Sequence, residues 1–578
     1  MVMPTFVYSA AGAILAAYEA AWWWTPALAG LCLILAINAV MRERNFQAQL
    51  FAIACLPGVF VVLGYYLLPG MVVDLTHRPF EFPAWHPQTF LLGSILGAVG
   101  SLIWLRSGVQ IIDAVIERFS VKSGLERVKK TDIRYIGKVL PPAIKPYDPA
   151  RYFKPSKGIF IGLDRRRRPI YCAHDLFDES HLLLCGRTRS FKGVAAQIVG
   201  AQSIRRKELF VVLDPKFDAW MPHVFAAEAK AAGQPYVLLD LRQSAPPQIN
   251  PFDGADAEEV ENLSLAAFSL AERGDAADFY RVGDRRAALE CARLVIEMRA
   301  RLGRSPTAVE IMATEAAGAW REDARNFWGY MMEMADLPSV NARNGISLDA
   351  LVAGGGCLYI LGDMQNSRVV RMQRLFLLRL MQLAKKRIAF ASEPARVIRV
   401  FADEFTVHIS RPFLVSLAAS AGWRMCVILA FQTLGDLADC PADLTAEAVK
   451  AKVWENCALK LVYAVRDSDT AEWLASSTGT IQVDDEMRRV DRNLALSESL
   501  ATDRSLRQSE TYLIDVNMLL GLPKGCGVLF GAATLPEFCY TSPMPTERAS
   551  AAVSATHVDM TAEEGGGMNL AASMVNLE

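Results

Sequence analysis

An excess of charge of either sign is what this sequence lacks. Its 578 residues hold 61 Lys and Arg against 62 Asp and Glu, a formal net charge of −1. That balance excludes a chain that is basic all over, so any contact with nucleic acid has to rest on a local surface. Histidine is scarce, with seven residues, and the 11 cysteines are odd in number and scattered from Cys32 to Cys539. No C-x-x-C pair and no Cys/His group at zinc spacing occurs, which argues against a disulfide framework and a structural zinc site. Cys185, Cys426 and Cys457 stand in apolar stretches and read as small core residues of a reducing compartment. No basic segment with a cleavage site opens the chain, so no cleaved signal peptide is expected.

Hydrophobic residues make up 52% of the chain, and the excess has a local source. Four apolar runs fall in the first 105 residues: Phe6 to Trp24, Pro26 to Met41, Leu50 to Val73 and Thr89 to Leu105. A spanning helix needs about 20 apolar residues. Glu19 lies in the first run near Trp22-Trp23-Trp24, where an interfacial position lowers its cost. The three Trp followed by Thr25-Pro26 predict an interfacial belt and a tight hairpin between the first two runs. Arg42-Glu43-Arg44 separates the second and third runs, and basic residues become frequent after Arg106. Basic loops face the cytoplasm. With four spans both termini and the bulk of the chain lie on the cytoplasmic side, and with two the part after Arg106 lies there as well.

The stretch His181-Leu-Leu-Leu-Cys-Gly186-Arg187-Thr188-Arg189-Ser190-Phe191-Lys192-Gly193 has the form of a phosphate-binding loop. A short strand runs into a Gly-led turn, and a helix is predicted from Val194 to Arg206. In such a loop backbone N–H groups and a helix N-terminus face the phosphates, while the Lys reaches the terminal ones. Phe191 stands where a second Gly belongs, and Gly193 where a Ser or Thr hydroxyl belongs. About 210 residues on, Val397 to Phe401 predicts a strand that ends in Asp403-Glu404-Phe405. An Asp there can hold Mg²⁺, and the next Glu can polarise an attacking water.

The remaining pattern alternates strands with helices, which predicts a parallel sheet. Strands are expected at His181–Cys185, Leu209–Leu213, Tyr236–Leu239, Cys357–Leu361, Val397–Phe401, Met425–Ala430 and Ala458–Tyr463. Gly158 to Cys172 reads as a hairpin whose turn holds Arg165 to Arg168, a solvated turn or a phosphate contact. The expected organisation is a membrane region (1–105), a connector (106–157), a nucleotide domain in two parts (158–254 and 351–545), an all-helical insertion (255–350) and a disordered tail (546–578). Arg281 to Arg286 reads as a solvated helix face. The tail either frays to its end or carries a short partner-binding segment near Met568 to Leu577.

Taken in order, these residues resemble type IV secretion coupling proteins of the TraD/TraG class, the conjugative DNA-transfer ATPases. Gly186 to Gly193 is similar to their first nucleotide motif, and Leu213-Asp214-Pro215-Lys216-Phe217-Asp218 to their second strand motif. Ile249-Asn250-Pro251-Phe252 looks like their Asn-Pro element. Asp403-Glu404-Phe405 matches their acidic motif, and Ala430-Phe431-Gln432 falls where they carry a Gln at a strand end. Asn456, Asp467 to Ala471 and Leu522 to Pro536 are also family-like. The resemblance covers about Gly158 to Pro543.

The resemblance implies an α/β fold: a RecA-like P-loop NTPase core with a parallel-rich sheet, an inserted all-helical domain and an N-terminal transmembrane helical region. It implies a homo-oligomeric ring in the lipid bilayer that receives a relaxase–DNA complex or effector proteins and passes them to the secretion channel, using ATP and Mg²⁺. Carried over, Gly186 to Gly193 would bind nucleotide, with Lys192 on the β/γ-phosphates. Asp403 would hold Mg²⁺, Glu404 would activate water and Gln432 would sense the γ-phosphate. Arg424 and Arg466 are candidates for the cation such rings supply from a neighbour. Phe191 departs from the pattern. Strained torsions cost about 1–3 kcal/mol, which would weaken nucleotide binding roughly 5- to 150-fold. Loss of hydrolysis would leave a second reading, an adaptor or scaffold with a degenerate phosphate loop. A transporter subunit is a third reading, with no place for the helical insertion.

Overall fold

The computed structural model describes residues 5–42, 86–108, 133, 136–270, 278, 281–389, 395–441, 443–492, 498–546, 557–558 and 572–573. The chain divides into two compact units. One holds the N-terminal region and residues 481–511, and the other holds 130–480 and 512–578.

In the first unit, α1 (Thr5–Arg42) is a continuous helix of 38 residues with Pro26 inside it. The hairpin expected at Thr25-Pro26 is therefore absent, and the first two apolar runs form one helix. Proline removes one backbone N–H and crowds the carbonyl four residues back. Breaking an apolar helix there would strand more backbone groups than proline does. A second helix, α2 (Pro87–Ile103), continues into a π turn at Trp104–Gly108. Its stretch Pro87–Ser107 is long and apolar enough to cross a membrane, while the apolar part of α1, Trp22–Ile37, is shorter. The third run, Leu50 to Val73, lies outside the described residues. The two helices pack on small residues. A Cβ added at Gly30 would lie 1.8 Å from the Ser94 carbonyl oxygen, and one at Gly97 would lie 1.8 Å from that of Ala27. Ser101 Oγ donates to Gly97 O at 2.9 Å. The same unit takes in most of a two-stranded ribbon, β10 (Thr480–Arg492) with β11 (Glu498–Tyr512). The sequence predicted no element there.

The second unit is built on one sheet of eleven strands. In chain order they are β1 (Ile159–Leu163), β2 (Pro169–Cys172), β3 (Leu182–Cys185), β4 (Leu209–Asp214), β5 (Tyr236–Asp240), β6 (Gly356–Leu361), β7 (Ile398–Ala402), β8 (Met425–Phe431), β9 (Leu459–Tyr463), β12 (Cys526–Phe530) and β13 (Glu537–Tyr540). The spatial order is β2-β1-β13-β12-β9-β3-β8-β7-β4-β6-β5. From β5 across to β9 every pairing is parallel. From β9 outward to β2 every pairing is antiparallel. The sheet is thus parallel-rich and mixed, as an α/β nucleotide-binding core requires. Strands β3, β4, β6, β7 and β8 are buried along their whole length. Helices cover both faces, which is why these strands read as unbroken Leu, Val and Ile rather than alternating.

Between β5 and β6 the chain is helical, with segments Ala257–Ala267, Arg281–Leu302, Ala308–Met312, Glu315–Asp323, Arg325–Ala335 and Leu348–Gly354. Capping boxes at Asp256/Glu259 and Thr307/Glu310 start two of these helices. The insertion leaves and returns at one place. Ile249 bridges Ile346, and Ile346 N donates to Gln248 O at 2.8 Å. Asn250 secures the exit: its Nδ2 donates to Pro306 O at 3.0 Å and its Oδ1 accepts from Phe252 N at 3.0 Å.

Candidate nucleotide site

Strand β3 delivers the chain to Gly186, whose φ of +151° is glycine territory. A Cβ there would meet Ser190 Oγ and Tyr463 Cβ at 2.8 Å. Gly186 N donates to Phe431 O at 3.3 Å and Arg187 N to Ala464 O at 3.1 Å, so the loop is tied to strands on both sides. Arg187, Thr188 and Arg189 are exposed, whereas Ser190 and Lys192 are buried. Helix α3 (Lys192–Arg205) then begins with Phe191 as its N-cap in the left-handed region, φ +82°. The chain takes up the glycine torsion with phenylalanine in place. The Phe191 ring turns toward the β12 entry: a Cβ added at Gly525 would lie 3.4 Å from it, and the Lys524 ammonium stands 5.3 Å from its centroid. A left-handed torsion at a residue with a Cβ costs about 1–3 kcal/mol.

Lys192 Nζ donates to the carbonyls of Gly186 and Arg187. Burial pushes its pKa below the ordinary lysine value, and Asp403 works against that shift. Asp403 follows β7, three strands across the sheet from β9 and two from β3, at the same carboxyl edge. Burial holds its carboxyl above the usual carboxylate range, opposed by Lys216 and reinforced by Asp214. Glu404 is also left-handed, φ +46°, at the start of the turn Phe405–His408. Its Oε1 accepts from Gln432 Nε2 at 3.1 Å and pairs with Lys216 Nζ. Gln432 Oε1 accepts from Thr188 Oγ1 at 2.8 Å. Lys192, Asp403, Glu404 and Lys216 line one cavity of about 1310 Å³, which continues past Phe191 to Ile144 and Tyr540.

The cavity residues fit a magnesium nucleotide. The buried Glu404 and the partly buried Asp403 share the cavity with two ammonium groups, and Ser190 Oγ is buried with no hydrogen-bond partner. Gly193 brings no hydroxyl, so Asp403 is the remaining acidic ligand from the motifs read in sequence. Among the described residues no cluster of His, Cys, Asp and Glu is arranged to hold a metal by itself.

Other residues marked from sequence lie elsewhere. Arg424 precedes β8, at the amino edge, and its Nε donates to Ala395 O at 3.2 Å. Arg466 follows β9 at the carboxyl edge and is exposed. Asn456 Nδ2 donates to Lys452 O, and Asp467 caps the helix Ser468–Ser476. Arg168 pairs with Asp164 across the Arg-rich turn. Arg286 pairs with Glu290 on the surface of the insertion. Cys185, Cys426 and Cys457 are buried free thiols, and burial pushes the Cys185 and Cys457 thiols up to about 12.

Sequence reasoning passed over Lys216 as a site residue. The signal was in the second strand motif. Asp214 is buried and its carboxylate accepts from Lys216 N, Phe217 N, Asp218 N and Tyr359 Oη. That ring of donors folds the chain so that Lys216 reaches Glu404, with Phe217 forced to φ +64°.

The topology and the loop define a RecA-like P-loop NTPase core. Residues 397–524 match the family described as the TraM recognition site of TraD and TraG. Mobilization protein A of Escherichia coli is 27% identical over 454 residues, covering 75% of this chain and 82% of that protein. Among solved structures, the bacterial conjugative coupling protein TrwBdeltaN70 is 16% identical with a TM-score of 0.49, covering 68% of this chain and 91% of that one. VirB4 of Thermoanaerobacter pseudethanolicus is 13% identical with a TM-score of 0.43, covering 70% and 99%. Over residues 397–524 and along most of its length the chain is thus similar to coupling proteins of the TraD/TraG class.

Proposed function

We propose that this chain is an inner-membrane coupling protein that recruits a relaxase–DNA complex or effector proteins and delivers them to a type IV secretion channel, driven by ATP. The observation that supports the motor is the meeting of Lys192, Asp403 and Glu404 at one cavity, with Gln432 Nε2 donating to Glu404 Oε1 behind them. Anchoring by α1 and α2 and a cytoplasmic position for the bulk follow from the apolar helices and the basic loops. A homo-oligomeric ring suits the class. The match at 397–524 supports docking of a TraM-like partner on that segment.

In the hydrolysis we assign, a water oxygen bonds to the γ-phosphorus. The bond to the β,γ-bridging oxygen breaks, and its electron pair leaves on ADP. Glu404 accepts the water proton, and Lys192 offsets charge on the β- and γ-phosphates. Mg²⁺, held by Asp403, would neutralise phosphate charge. Gln432, bonded to both Glu404 and Thr188, reports on the phosphate loop.

The test is ATPase turnover of the detergent-solubilised chain with DNA, beside Lys192→Ala. A loss of at least about 100-fold is expected. Equal rates would remove the motor, and absence of nucleotide binding would leave the adaptor reading.

A further inference from the structure

Phosphoryl transfer needs positive charge where charge develops on the γ-phosphate. Arg424 stands at the wrong edge of the sheet to supply it within the chain. Lys216 stands at the right one. Its backbone is fixed by Asp214, whose Oδ1 accepts from Lys216 N at 2.9 Å and whose Oδ2 accepts from Asp218 N at 2.7 Å. Its ammonium reaches into the cavity shared with Lys192, Asp403 and Glu404. There it pairs with Glu404 Oε1, the oxygen that also accepts from Gln432.

Resting on the motor reading above, we propose that Lys216 is a γ-phosphate cation acting in cis, and that it latches Glu404 until a triphosphate arrives. A carboxylate oxygen held by an ammonium and an amide is a poor acceptor for a water proton. An incoming γ-phosphate offers Lys216 a more highly charged partner. The side chain is about one-third exposed, and its flexible stem lets the ammonium re-aim. Transfer of Lys216 from Glu404 to the γ-phosphate frees Oε1 at the moment the substrate is in place. A diphosphate cannot make the exchange, since it lacks the group that competes. One lysine thereby selects the triphosphate and arms the base.

The test compares binding of a non-hydrolysable ATP analogue and of ADP to the full-length solubilised chain, as wild type, Lys216→Met and Lys216→Arg. Lys216→Met should weaken the analogue about tenfold or more while ADP moves less than about twofold, and Lys216→Arg should recover part of the difference. Equal losses for both nucleotides, or an unchanged ratio, would overturn the proposal. If Lys216→Met does not fold, Glu404→Gln serves: it releases Lys216 in advance and should raise affinity for the analogue about threefold or more. No rise there would overturn it as well. A wild type that binds neither nucleotide removes the motor itself. A wild type that binds and hydrolyses ATP while Lys216→Met keeps the ratio removes the latch alone.

Discussion

Thr188 Oγ1 donates to Gln432 Oε1 at 2.8 Å, and through the other end of that amide the phosphate loop is joined to Glu404. The loop hydroxyl and the acid sit on segments more than 200 residues apart in sequence, with the end of β8 between them. Thr188→Val removes the first bond and keeps the shape. One neutral hydrogen bond is worth about 0.5–1.5 kcal/mol, so turnover should fall roughly 2- to 12-fold while nucleotide affinity changes by less than about threefold. Steady-state kinetics beside direct binding would check the split. A change confined to affinity would mean that Gln432 does not relay the state of the loop.

Phe191 sits at φ +82° with its ring against Gly525. Because the ring is turned toward Gly525 and Lys524, Phe191→Gly should leave nucleotide affinity within about threefold of wild type. A gain of roughly 5- to 150-fold in that variant would show instead that the Phe side chain weakens binding. Phe191→Val is the contrasting variant, since a β-branched residue tolerates the left-handed region least. It should destabilise the fold by about 1–3 kcal/mol. Calorimetric titration and thermal melts measure the two effects separately.

Two histidines make the core acid-sensitive. His181 Nδ1 accepts from Val427 N at 3.0 Å, and its Nε2–H donates to Leu417 O at 2.8 Å, so the ring is neutral. Burial lowers its pKa to about 4. His408 is lowered to about 3 by burial and by Arg374, and neither ring nitrogen has a partner. Both pKa values lie below the unfolded value of about 6.5. Their stabilisation is complete above that pH and is lost as pH falls toward 4 and then 3. Melting temperature should therefore drop steadily below about pH 6.5. His408→Leu should flatten the decline at the acid end and cost less than about 1.5 kcal/mol at pH 7.5. An unchanged acid slope in that variant would contradict the assignment.

Gly30 and Gly97 bring α1 and α2 into backbone contact. Gly97→Leu should part them, because the added carbons have no room beside the Ala27 carbonyl. Close packing of small residues is a main source of helix association in lipid. Cysteines placed at Ala27 and Ser94 in an otherwise cysteine-free chain should crosslink readily with Gly97 present and at least about fivefold less with leucine there.

Much of this molecule is visible in its sequence because the physics is local. The strands β3, β4, β7 and β8 announce themselves as apolar runs, since burial on both faces leaves no room for alternation. The phosphate loop shows as Gly186 and Lys192 at fixed spacing. What escaped depends on distant partners or on the surroundings of a residue. Pro26 reads as a break by its own chemistry, yet the apolar run on either side keeps α1 whole. The ribbon β10–β11 is built from Asp, Glu, Arg and Ser and lacks any apolar period. Lys216 gains its meaning from Glu404, 188 residues away. The left-handed turns at Phe191, Phe217 and Glu404 are spelled with residues that rarely take them.

The helical insertion enters and leaves through the single seam at Ile249 and Ile346. The lobe also docks on the helix Ser367–Ala389 through Arg371–Glu333 and Arg379–Glu259. Its length and outer surface can drift while the strands that place Lys192 and Glu404 keep their register. The lobe's outer surface and the nucleotide cavity can thus vary separately within one polypeptide.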